Sequence, residues 1–143
     1  MRIFLDANVL FSAASSNGAI RQLLVALQIA GHTLVADQYV ATEARRNVAA
    51  KAGSEAVNDL QTLLSRMEVS AVQYPPLAQA PVLWLPEKDR PVLVAAMALK
   101  CDALVTGDRT HFGTGYGKTF DGVTLYSPAQ LAQALFPPLQ EAP

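Results

Sequence analysis

The sequence predicts an α/β fold, a three-layer α/β/α sandwich around a central, mainly parallel sheet. Three observations carry this. Short strand-like segments alternate with stretches of helical periodicity along the chain. The strand segments are apolar throughout rather than alternately polar, as expected of a sheet covered on both faces. No internal repeat or linker divides the 143 residues, so a single domain over 1–143 is expected. Hydrophobic residues at 51% and charged residues at 16% exclude a disordered or fibrous chain.

Taken in order, Arg2, Ile3, Phe4 and Leu5 form a first strand ending at Asp6, and small and polar residues fill 12–18. Ile20, Leu23, Leu24 and Leu27 mark one face of a helix that stops at Gly31. Thr33, Leu34, Val35 and Ala36 make a second strand ending at Asp37. A helix over residues 38–52 buries Val40, Ala44 and Val48 and stops at Gly53. Ser54 is placed to cap a third helix carrying Val57, Leu60, Leu64 and Met67. Residues 67–72 alternate at period two, as an edge strand does. Pro75, Pro76, Pro81 and Pro86 make residues 74–86 a connection. Asp89 then opens a helix with Pro91 in its first turn, apolar on all sides to Leu99 and expected to be buried. Residues 103–106 are a further strand ending at Gly107 and Asp108, and a glycine-rich loop leads to the last strand, residues 123–126. Ser127 and Gln130 form a capping box for a final helix. Pro137 and Pro138 end it, leaving residues 136–143 as a frayed tail.

Several classes are disfavoured. No apolar run approaches the roughly 20 residues of a membrane span, and Asp6 interrupts the amino-terminal segment before a secretory apolar region forms. The single cysteine, Cys101, fits a reducing, cytoplasmic setting. A formal charge of −1 argues against binding nucleic acid by net charge alone.

Three strands end in aspartate: Asp6, Asp37 and Asp108. Ligands of open parallel sheets bind at the carboxyl ends of strands. One such aspartate reads as a cap or turn residue, but two or three on one rim do not. Like charges about 5 Å apart repel by roughly 3 kcal/mol at an effective dielectric of 20. Such a cluster persists by protonating a member or by holding a cation, and carboxylate oxygens favour Mg2+ or Mn2+. Asp37 and Asp89 both precede helices and read equally as N-caps. Glu43, beside Arg45 and Arg46, reads by itself as a solvated acid.

The assembled pattern resembles a known family. Phe4-Leu5-Asp6-Ala7-Asn8-Val9-Leu10 looks like the opening of a PIN domain. So does Asp89-Arg90-Pro91-Val92-Leu93-Val94-Ala95-Ala96 leading into Ala103-Leu104-Val105-Thr106-Gly107-Asp108-Arg109. Glu43 falls on the intervening helix where that family has its second acid. The resemblance implies a PIN-like sandwich whose catalytic acids Asp6, Glu43, Asp89 and Asp108 hold one or two Mg2+ or Mn2+ ions. It leaves Asp37 as the helix cap. Asn8 and Thr106 match the polar residues that orient the ligands or the attacking water. The activity implied is hydrolysis of RNA phosphodiester bonds, and the small members resemble VapC-like toxins. An antitoxin partner follows from that habit, and a homodimer is left open.

Setting four metal-binding acids aside turns −1 into +3 for the remaining surface. Arg45, Arg46, Arg109, His111 and Lys118 then become candidate RNA contacts, with His111 read as a surface contact in a loop. Two decoys fall away. The run from Gly113 to Thr119 imitates a phosphate-binding loop, but Phe112 occupies the position its first glycine needs, and a strand follows instead of a helix. Ser12, Ser15 and Ser16 have no paired base for nucleophilic catalysis. The rivals are a phospho-acceptor module, which would need an aspartate ending a central strand and a lysine ending a later one, an arrangement that Asp108 followed by Arg109 does not give, and a catalytically silent PIN-like interaction or RNA-binding module.

Overall fold

The computed structural model describes residues 1–72 and 80–137. Six strands form one sheet: β1 (Arg2–Leu5), β2 (Thr33–Asp37), β3 (Glu68–Ser70), β4 (Ala103–Val105), β5 (Thr119–Phe120) and β6 (Val123–Tyr126). Their order is β3-β2-β1-β4-β6-β5. Every pairing is parallel except β5 with β6. Phe4 lies between Val35 and Leu104, and Leu104 pairs onward with Leu125. These residues are fully buried, which is why the central strands tolerate no polar face. The helices are α1 (Ala7–Ser15), α2 (Ala19–Ile29), α3 (Gln38–Lys51), α4 (Ser54–Ser65), α5 (Arg90–Ala98), α6 (Arg109–Phe112) and α7 (Pro128–Leu135). They cover the sheet to give the α/β/α sandwich, with α1, α3 and α4 packed on one another and α5 against β4.

The strand order decides where a ligand can sit. From β1 the chain steps one way to β2 and β3, then crosses over to β4 on the other side. The carboxyl ends of β1 and β4 therefore flank the topological switch point, the usual crevice of an open parallel sheet. Among the described residues, no helix is long and apolar enough to cross a membrane.

Local features follow the sequence closely in places. Asp37 caps α3, its Oδ1 accepting from the Val40 N–H at 2.9 Å. Ser127 and Gln130 form the reciprocal capping box of α7. β3 is the edge strand expected, though shorter.

Other features differ. Residues 12–15, expected to be irregular, continue α1, because Val9, Leu10, Ala13 and Ala14 bury a face that touches α2, α3 and α4. Ser54 does not cap α4. Gly53 holds that position at φ +86°, so one glycine ends α3's extension and starts the next helix. Val57, expected on the apolar face of α4, is exposed, and Ala56 takes its place in the core with Leu60 and Leu64. α5 is buried from Val92 to Ala96, while Ala98 at its end is exposed. Short α6 and the antiparallel β5 were not anticipated. Residues 73–79, which include 74–79 of the proline-rich connection, lie outside the described residues, as do 138–143 of the tail. The rest of the connection holds a short 3-10 turn, Ala80–Val82, and a second one, Glu87–Asp89, follows it and leads into α5.

Candidate metal centre

Asp6 and Asp108 are positioned by the turns that follow β1 and β4 at the switch point, Glu43 by the interior of α3 and Asp89 by the 3-10 turn before α5. Asp6 follows β1 and caps α1, its Oδ1 accepting from the Ala7 N–H at 2.8 Å. Its Oδ2 accepts from the Thr106 hydroxyl at 2.8 Å and from the Asn8 amide at 3.3 Å. Asn8 Oδ1 in turn accepts from the Gly107 N–H at 2.9 Å. Thr106 Oγ1 accepts from the Asp108 N–H at 3.2 Å. Asn8 and Thr106 thus tie the end of β1 to the end of β4 and fix the orientation of Asp6. Asp108 caps α6, and Asp89 stands immediately before α5.

The carboxylates of Asp6, Glu43, Asp89 and Asp108 line one pocket of about 350 Å³, with Phe11 and Val92 among its apolar contributions. Asp6 is only 7% exposed. Burial pushes its carboxyl up from 3.8 to about 6; the Thr106 and Ala7 hydrogen bonds oppose this, and Glu43 and Asp89 add to it. Burial likewise raises Asp89, against the pull of His111 and Lys88. The N-cap reading of Asp89 fails. It occupies that position but makes no side-chain cap bond.

Within the pocket the acids are unevenly spaced. Asp89, Asp108 and His111 each offer a ligand atom within 4.8 Å of the others, whereas Asp6 and Glu43 stand outside this triplet. His111 is accordingly not a surface contact in a loop. It lies on α6, its Nδ1 donating to Asp108 Oδ2 at 2.8 Å while standing 3.2 Å from Asp89 Oδ2. A ring nitrogen has one hydrogen to give. Asp89 Oδ2 is left buried without a hydrogen bond, the one such side-chain atom among the described residues. A buried acceptor without a donor, a buried carboxyl raised towards neutrality and four oxygen-donor side chains are together the chemistry of a hard divalent cation's site.

The basic residues singled out in the sequence divide in their position relative to this pocket. Arg45 and Lys118 are exposed and do not line this pocket, nor does Arg109. Arg46 lines an adjacent hollow. The pocket's cations are Lys51 and Lys88, neither in an ion pair among the described residues. Sequence reasoning missed them, together with Tyr39 and Asn47. A signal existed: Tyr39, Glu43, Asn47 and Lys51 repeat every four residues, one ridge of α3 beside the buried ridge of Val40, Ala44 and Val48.

Comparison with known proteins agrees with this fold. Among solved structures, a chain of VapBC2 from Rickettsia felis, crystallised bound to a DNA fragment from the promoter, has a similar fold. The TM-score is 0.62 at 16% identity, over 89% of this chain and 98% of that one. Among curated proteins, none matches the sequence. The family model for the PIN domain matches residues 2–110, a span holding all four pocket acids. The chain belongs to the PIN-domain family.

Proposed function

We propose that this protein is a divalent-metal-dependent endoribonuclease and the toxin half of a toxin–antitoxin pair. The observation that carries the reading is the meeting of Asp6, Glu43, Asp89 and Asp108 in one pocket at the sheet's switch point. These four would hold Mg2+ or Mn2+. Such an ion, when bound, supplies Lewis-acid stabilisation of phosphate charge and a more acidic water. The protein's own groups do the rest. Thr106 and Asn8 hold Asp6 in one rotamer, and His111 holds Asp108. Lys51 and Lys88, both free of carboxylate partners among the described residues, attract the phosphodiester and keep it over the acids. The toxin role and an antitoxin partner are supported by family membership and by the likeness in fold to a VapBC2 chain.

The test is cleavage of single-stranded RNA by the wild type and by Asp108→Asn, with chelator and with Mg2+ or Mn2+. The expected result is metal-dependent cleavage that falls by about a hundredfold or more in the variant, since the ion both activates water and stabilises charge. Equal cleavage by both proteins would overturn the assignment. A folded wild type inert toward varied RNAs would instead mark a silent interaction module.

A further inference from the structure

α3 presents three ridges with different surroundings. Val40, Ala44 and Val48 enter the core, and Tyr39, Glu43, Asn47 and Lys51 line the acid pocket. The third, Gln38, Thr42 and Arg46, lines a separate hollow of about 470 Å³. The two depressions are contiguous, because Tyr39 and Glu43 form walls of both. Tyr39 is 44% exposed, and it feels the charges of Glu43, Asp89, Asp37 and Asp6. Gln38, Thr42 and Arg46 have no side-chain hydrogen bond or ion pair among the described residues. An aromatic face, an amide, a hydroxyl and a guanidinium with open hydrogen-bonding capacity therefore surround one hollow. That set stacks a base, reads its edge and pairs with a phosphate.

We propose that this hollow is a nucleotide subsite flanking the scissile phosphate, with Tyr39 stacking on the base and Arg46 holding the neighbouring phosphate. The proposal rests on the nuclease reading and adds to it a direction of travel. The RNA strand leaves the acid pocket over Tyr39 and runs along the Gln38–Thr42–Arg46 ridge. Single strands fit this arrangement, because a base must be unstacked from its neighbours to lie on Tyr39.

The experiment compares Tyr39→Ala, Tyr39→Phe, Arg46→Ala and Arg45→Ala in steady-state cleavage. It adds anisotropy of a fluorescein-labelled single-stranded oligoribonucleotide in chelator, intact or carrying one abasic position. Loss of one base–aromatic stack weakens binding roughly tenfold. Tyr39→Ala and Arg46→Ala should therefore raise KM about tenfold with kcat nearly unchanged, and Tyr39→Phe should restore wild-type KM. An abasic site should weaken wild-type binding at one position and have no further effect in Tyr39→Ala. Arg45 carries the same charge one residue away but outside the hollow. Equal effects of Arg45→Ala and Arg46→Ala would reduce the site to diffuse electrostatics and overturn it. So would an unchanged KM in Tyr39→Ala. Tyr39-dependent oligonucleotide binding by a wild type that cleaves nothing would sink the nuclease reading and leave the subsite standing. Cleavage indifferent to both variants would do the reverse.

Discussion

Asp6 should destabilise the metal-free protein, and replacing it with asparagine should make that protein more stable. Its carboxyl ionises near pH 6 in the fold against 3.8 ordinarily. Each decade of pH between those values is worth about 1.4 kcal/mol, so the ionised group costs about 3 kcal/mol at neutral pH. The sign follows from proton counting. Between pH 3.8 and about 6 the folded state binds more protons than the unfolded state, so wild-type stability is fully present below 3.8 and falls as pH rises through this window. Asparagine removes the charge and keeps the shape. Its amide can donate to the Thr106 hydroxyl, but it faces the Asn8 amide that now donates to Asp6, a loss of about 1 kcal/mol. In chelator at pH 7.5, Asp6→Asn should be more stable by about 2 kcal/mol, roughly 6 °C in Tm for a chain of this size. The gap should close toward pH 4. An ion at a hundred times its Kd stabilises by about 2.7 kcal/mol, so Mg2+ or Mn2+ should raise the wild type past the variant. Thermal melts at pH 4.5 and 7.5, with chelator and with the ion, read all of this. A variant less stable than wild type in chelator at pH 7.5, or a gap indifferent to pH, would refute the reasoning.

Two further outcomes can be measured in the same way. Asp37→Ala should lose about 1–2 kcal/mol, because the Val40 N–H at the start of α3 loses its cap, while the ion-induced rise in Tm should match wild type. Loss of the ion effect would place Asp37 in the metal site instead. Gly115→Ala should cost about 1–3 kcal/mol, since its Cβ would stand 2.4 Å from the Trp84 ring. That ring is held by stacking on Phe120 at 4.9 Å and by donating to the Pro81 carbonyl at 2.8 Å, so it has little room to yield. Trp84 is the sole tryptophan, and its fluorescence should shift with the melt.

Local signals determined much of this protein. Apolar runs of four to five residues ending in aspartate marked β1 and β2, because a strand buried on both faces has no room for polar side chains until it leaves the sheet. The caps at Asp37 and Ser127 were legible because a cap bond spans only three residues. Which residues share the pocket was not decided locally. Asp6 meets Thr106 across a hundred residues only because β4 crosses over to pair with β1. That same pairing swings α6 round so that His111 faces Asp89 and Asp108, where sequence alone made it a surface residue. Lys51, two turns along α3 from Glu43, and Lys88, next to Asp89, became the pocket's cations, while Arg45, only two residues from Glu43, does not line it. Composition and periodicity act over one or two turns and can choose the elements. Charge and hydrogen-bond partners at the site are set by long-range strand order, which no local window contains.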